Sequence, residues 1–298
     1  MLSPAKINIG LEVPFKREDG FHEIYSIFTK INWGDEIEFE RTSSSGEFLL
    51  ESRNELIKEK KQSFEEVSER GDLTKNILYK AYERALSFSP DIPGLRVKLI
   101  KRIPTGGGLG GGSSNAAMLL KVLFKGTDWE FSESLNGLAA GIGSDVPFFL
   151  REEPAFVYGR GEKFYSIKLA SGQGVLGIPP VEINTKEAYN YLKKPLQKTT
   201  ITEPWNFLTG ELSQALRLGD WHVLQRFLVN DFEEFAFKQF PLLKSLKEDF
   251  YSLGCSFASM TGSGSCFFGL LRREEESAKV QNGLIAKYPG YDFIPFSF

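Results

Sequence analysis

The chain has 298 residues, 41% hydrophobic and 25% charged, with a formal net charge of −3. That balance fits an ordinary soluble polypeptide of one large or two ordinary domains and argues against a general nucleic-acid binder, which is normally basic. Its two cysteines, Cys255 and Cys266, have neither disulfide-framework nor metal-ligand spacing and read as buried free thiols of a reducing compartment; with no apolar signal-peptide core and no run long enough to span a membrane, a cytoplasmic protein is expected.

Met1 to Val13 opens with a strand pattern. Ile7, Ile9, Leu11 and Val13 alternate with Lys6, Asn8 and Gly10, so one face is apolar and the other carries a lysine beside an asparagine. Solvation alone explains that polar row more readily than a site does. Asp19-Gly20 signals a turn. Phe21 and His22 follow it, and then the apolar run Ile24 to Ile31. Asp35 to Glu40 alternates Ile37 and Phe39 with acids and predicts another strand. Glu51 to Asp72 is dense in charge and reads as a solvated helix or surface insertion. Asn76 to Phe88 has helical apolar spacing.

The chain is organised around Pro104 to Ala117, P-T-G-G-G-L-G-G-G-S-S-N-A-A, with six glycines between Gly106 and Gly112. Leu95, Val97 and Leu99 predict a half-buried strand before it. Ala116, Ala117, Leu119, Leu120 and Leu123 predict a helix after it, with Ser113, Ser114 and Asn115 as N-cap candidates. The first amides of a helix lack intrahelical acceptors and its dipole favours anions there. Bare glycine amides in front of such a terminus form a cradle suited to phosphate. Gly106, Gly108 and Gly111 formally match GxGxxG, but no acidic residue ends a second strand about twenty residues on, as a Rossmann unit requires. Asp128 lies near that distance without a strand before it. No lysine follows the glycines, so the loop is not a Walker A, and the protein-kinase motif set is absent.

Ser132 to Ala140 predicts a helix capped by Ser132. Asp145 stands between the turn G-I-G-S and the apolar run V-P-F-F-L, where it could cap that turn or be held toward a site. Composition shifts after Leu150, and a domain boundary is placed near residue 155. Tyr158 to Glu162 reads as a turn. Thr185 to Leu192 and segments around Phe207 to Leu218, Trp221 to Phe235 and Leu242 to Leu253 read as helices. A second glycine-rich segment, Ser259 to Gly269, precedes a predicted strand Cys266 to Leu271.

The strand at Pro4 to Gly10, the loop Pro104 to Ala117 and the loop Met260 to Cys266 resemble, in order, the three motifs of the GHMP kinase family of small-molecule kinases, over essentially the whole chain. P-A-K-I-N at Pro4 to Asn8, D-G-F-H at Asp19 to His22, G-G-G-L-G-G-G-S-S-N-A-A at Gly106 to Ala117 and S-D-V-P-F-F at Ser144 to Phe149 are most similar to the branch acting on 4-diphosphocytidyl-2-C-methyl-D-erythritol. The resemblance implies a two-domain α+β fold, with a ribosomal-protein-like N-terminal domain over 1–155 and a ferredoxin-like α/β sandwich over 156–298. The active site would lie in the cleft between them.

The implied activity is transfer of the γ-phosphoryl of ATP, with Mg²⁺, to the 2-hydroxyl of that substrate, in the non-mevalonate isoprenoid route. By resemblance Lys6 and Asp145 are the catalytic pair. Asn76 near the adenine, together with Pro104, Gly106, Gly107, Gly108, Leu109, Gly110, Gly111, Gly112, Ser113 and Ser114, would hold ATP. Asn8, Phe21, His22 and Tyr189 would hold the substrate, the last three around its cytosine. The Mg²⁺ ligands stay open, with Ser113 or Ser114 as candidates. The expected partner is a small molecule, not nucleic acid or membrane, and the expected state is a monomer or homodimer. Tyrosine is frequent in the family where this chain has Phe21, so stacking is kept there and a hydroxyl contact is lost. A related kinase acting on mevalonate, homoserine or a sugar, a nucleotide sensor without chemistry, and an RNA-binding module are the rival readings.

Overall fold

The computed structural model describes residues 1–55, 65–66, 73–89, 91–130, 132–197, 208, 210–272 and 276–298. Its elements in chain order are β1 (Leu2–Glu12), β2 (Lys16–Arg17), β3 (Tyr25–Thr42), β4 (Phe48–Asn54), β5 (Glu65–Glu66), α1 (Ile77–Phe88), β6 (Gly94–Lys101), α2 (Gly111–Phe124), α3 (Glu133–Ile142) and α4 (Val146–Leu150). Then come β7 (Ala155–Tyr158), β8 (Lys163–Ser166), β9 (Gln173–Ile178), α5 (Thr185–Leu192), β10 (Leu196–Gln197), α6 (Glu211–Leu218), α7 (Trp221–Leu224), α8 (Glu233–Gln239), α9 (Pro241–Ser252), β11 (Phe257–Met260), β12 (Phe267–Leu271), α10 (Ser277–Lys287) and β13 (Asp292–Ser297). Two compact units result: residues 1–5, 33–105 and 110–152, and residues 6–32, 106–109 and 153–298.

In the first unit β6 runs antiparallel to the far half of β3, from Glu36↔Ile100 to Thr42↔Gly94, and parallel to β4. The alternation read at Leu95, Val97 and Leu99 is the buried face of β6. Helix α1 packs on α2, and α2 on α4. Asn76 and Ser132 cap α1 and α3 by accepting from the Leu78 and Leu135 amides; the Ser132 cap is the one the sequence predicts. Helix α2 departs from expectation. It begins at Gly111 with Gly110 in the left-handed region at the N-cap (φ 70°), so Ser113, Ser114 and Asn115 lie inside the helix and cap nothing. A glycine adopts that backbone without a Cβ penalty, which lets the loop pass straight into the helix. Of the charged stretch 51–72, residues 56–64 and 67–72 lie outside the described residues.

In the second unit the near half of β3 pairs with β7 through Ser26↔Val157, Ile27↔Phe156 and Phe28↔Ala155, and β7 with β8. A four-stranded antiparallel sheet has the order β11-β12-β9-β13. That is the ferredoxin-like order, with α9 against β11 and β12 and α10 against β9 and β13. Val175, Leu246, Phe250, Phe267, Val280, Leu284 and Phe293 fill the layer between. Each buried side chain of this size contributes roughly 1.5–3 kcal/mol. The helix expected over Trp221 to Phe235 is two helices. Between them Asn230 bridges to Leu11 and donates to the Met260 and Gly262 carbonyls, so tertiary bonds override the apolar spacing. Phe207 lies outside the described residues. Among the described residues no helix is long and apolar enough to cross a membrane.

Candidate active site

The polar row of β1 is not solvated: Lys6 is 3% exposed and Asn8 0%. A buried charge must be compensated. The Lys6 ammonium donates to Asn8 Oδ1 at 2.5 Å and lies 4.6 Å from the centroid of the Phe28 ring. Asn8 Oδ1 also accepts from the Gly262 amide (2.8 Å) and the Thr261 hydroxyl (3.0 Å), while its amide donates to Ser26 Oγ (3.0 Å). Ser26 in turn donates to the Gly10 carbonyl. Asn8 therefore anchors Lys6 to the late glycine loop, whatever it does toward a substrate.

The segment Gly106–Leu109 is held in the same unit. The Lys6 amide donates to the Leu109 carbonyl (3.0 Å), and the Thr261 hydroxyl reaches the Gly108 carbonyl (3.2 Å). Gly106 and Gly108 both have φ near +77°, and a Cβ at Gly108 would come within 2.0 Å of the Thr261 carbonyl oxygen. The two glycine loops thus touch backbone to backbone, which no side chain would permit.

In the first unit the loop continues into α2. The Ser3 hydroxyl donates to Ser114 Oγ, and the Ser114 amide to the Gly110 carbonyl, so the buried Ser114 side chain is spent inside the fold. Ser113 is half-buried. Asp35, fully buried, accepts from the Arg102 and Ile103 amides at 2.7 and 2.8 Å, from Asn115 Nδ2 at 2.8 Å, and from Lys101. It ties the residues before the loop to the helix after it. Asp145 is half-buried at the N-cap of α4, where its side chain makes no capping bond. Asn76 Oδ1 is committed to its cap.

Around the Asp19-Gly20 turn, all in the second unit, the His22 and Tyr189 rings stack at 4.8 Å with 29° between planes. Tyr189 meets Phe232 edge-on. Phe21 is 52% exposed, with the Arg160 guanidinium 4.7 Å from its centroid. Glu23, buried beneath, accepts from Arg17 and from the Gly159 amide. Burial, and then the Lys16 charge, hold His22 below the ordinary histidine value, so it is a neutral imidazole at pH 7. Burial pushes the Cys255 thiol up to about 12 and raises Cys266 too. Both cysteines are free and buried, as expected, and neither is a nucleophile.

Among the described residues no group of three acidic, histidine or cysteine side chains could hold a metal ion. One hard oxygen donor does lie on the loop, the Glu182 carboxylate against Gly106. A single carboxylate combined with phosphate oxygens is a donor set that suits Mg²⁺.

Residues 76–153 match the family of the GHMP kinases N-terminal domain and residues 212–290 that of the GHMP kinases C-terminal domain. A relative from Leptospira interrogans, named 4-diphosphocytidyl-2-C-methyl-D-erythritol kinase, is 49% identical over 298 residues, covering 100% of both chains. The chain belongs to the GHMP kinase family. A Leptospira biflexa relative of the same name is 43% identical to this GHMP kinase, covering 100% of it and 98% of the relative. A crystal structure of 4-(cytidine 5'-diphospho)-2C-methyl-D-erythritol kinase superposes with a TM-score of 0.75 at 30% identity, covering 100% and 98% of the two chains. Homoserine kinase from Cytophaga hutchinsonii, at 18% identity and a TM-score of 0.67 over 97% and 94%, shares the fold.

For this kinase the structure brings Lys6, Asn8 and Gly106–Leu109 together through Thr261 and Gly262, and His22 together with Tyr189. Sequence reading missed Asp35, Ser26, Thr261, Asn230 and Arg160 as supports. Only Thr261 had a signal, its place in the late glycine segment.

Proposed function

We propose that this GHMP kinase transfers the γ-phosphoryl group of ATP to the 2-hydroxyl of 4-diphosphocytidyl-2-C-methyl-D-erythritol, in the non-mevalonate route to isoprenoid precursors. The observation that carries the reading is the 49% identity, over both full lengths, to the Leptospira interrogans relative named for that reaction. The aromatic pair His22 and Tyr189, with Phe21 exposed beside it, supports a flat-base pocket. Neutral His22 offers a ring nitrogen to the base edge.

In this reading Pro104 to Ser114 cradles the phosphates, with Asn76 near the adenine. Residues 1–155 and 156–298 are the two domains. Lys6, a compact cation, offsets charge near the nucleophile. Asp145 orients the 2-hydroxyl and takes its proton as the new O–P bond forms and the β,γ-bridging oxygen departs with ADP. An aspartate is a weak base for an alcohol, so the proton leaves late and orientation is much of Asp145's work. Phosphoryl transfer passes through a loose transition state, in which positioning and charge stabilisation dominate. Mg²⁺, when bound with ATP, neutralises charge on the phosphate oxygens. The protein works in the cytoplasm as a monomer or homodimer.

A substrate panel tests the reading. With Mg-ATP, the diphosphocytidyl substrate should be phosphorylated, mevalonate and homoserine should not, and the uridine analogue, which reverses the donor–acceptor edge, should be poor. Equal use of the cytidine and uridine forms would reduce the assignment to a GHMP kinase of unspecified acceptor.

A further inference from the structure

Glu182 follows β9 in the chain and is exposed. Its position is fixed from both sides. The Val181 carbonyl accepts from the Ser265 hydroxyl, and Ile183, 4% exposed, belongs to the core of the second unit. Its carboxylate lies along Gly106, the first glycine of the phosphate loop: a Cβ built there would stand 2.8 Å from Glu182 Oε1 and 3.1 Å from its Cδ. Neighbouring Asn184 takes the capping role for α5, so Glu182 is not needed there. Among the described residues no ion pair or hydrogen bond neutralises this carboxylate.

A lone carboxylate at a loop built for a polyanion opposes the ligand, unless a cation is shared between them. Mg²⁺ keeps several waters and is usually held by one or two carboxylates together with substrate phosphates. We propose that Glu182 is a ligand to the Mg²⁺ that accompanies ATP on this kinase. The inference rests on the ATP-dependent reading above and adds a residue to it. It makes Glu182 a selector of the nucleotide's form, repelling bare ATP and favouring Mg-ATP.

The test is calorimetric binding of ATP in EDTA and of Mg-ATP, to the whole wild-type chain and to Glu182→Gln and Glu182→Asp, with thermal melts to show that the variants stay folded. Glu182→Gln should bind metal-free ATP more tightly and Mg-ATP about tenfold more weakly, the size of effect usual for groups that support a bound metal. Glu182→Asp, which keeps the charge, should retain part of the Mg²⁺ gain. An unchanged Mg²⁺ dependence in Glu182→Gln would overturn the proposal. Equal strengthening of both nucleotide forms would also overturn it, because Glu182 would then only repel. A wild type that binds ATP in neither form would instead overturn the kinase reading on which the proposal rests.

Discussion

Gly108 and Gly20 separate two costs of a side chain. Both have positive φ, +77° and +85°, but a Cβ at Gly108 meets the Thr261 carbonyl oxygen at 2.0 Å whereas nothing lies within 4 Å of Gly20. Backbone strain of this kind costs about 1–3 kcal/mol. Gly20→Ala should lose that alone, and Gly108→Ala clearly more. Equal urea midpoints would show that the Thr261 contact does not constrain the loop. Asp145→Asn should lower kcat by about 10²–10⁴-fold with KM for ATP little changed. Lys6→Ala should lower it as well, and the double variant should be less than additive; near-normal kcat in Asp145→Asn would remove that residue from the chemistry.

His22 sets a pH dependence. Its pKa in the fold is below the unfolded value, so the unfolded chain takes up more protons as pH falls through about 6.5. The stability that depends on neutral His22 is full above that pH and declines below it, toward the folded pKa. His22→Gln should flatten the acid limb of urea midpoints measured from pH 8 to 5. At this scale the sequence showed which residue types were special, but not their partners. Lys6 and Asn8 could be read as a solvated row because alternation does not say whether a second element covers the polar face; here Thr261, Gly262 and Ser26 do.

Asp35 joins three elements by accepting from the end of β6, the residues after it and the first turns of α2. Asp35→Ala leaves Lys101 and two backbone amides without that partner, and removing one member of a buried charged network typically costs about 3–5 kcal/mol. Denaturant unfolding should show a loss of this order; a loss under 1 kcal/mol would mean the loop is positioned by other contacts. Strands and helices were legible wherever local chemistry decides them: β6 from alternation, α1 from its apolar spacing and α3 from its Ser132 cap. The start of α2 was not, because serine and asparagine caps outrank glycine in general while here Gly110 takes a left-handed turn. The break between α7 and α8 was illegible for a different reason. It is made by bonds from Asn230 to Met260 and Gly262, about thirty residues away in sequence.

For the whole molecule, the ordered motifs carried the family and its two-domain α+β fold, since three glycine- and polar-rich segments in fixed order are far more specific than any one of them. Composition had only set limits. The strand order β11-β12-β9-β13 depends on pairings between distant segments and could be expected only through resemblance. The identity of the acceptor carries the most weight, and one measurement tests it directly. The purified chain is incubated with Mg-ATP and 4-diphosphocytidyl-2-C-methyl-D-erythritol and followed by ³¹P NMR. The expected result is one new phosphomonoester, coupled to C2 of the methylerythritol unit, formed in step with ADP. ADP release without that product, or a phosphate on another hydroxyl, would contradict it.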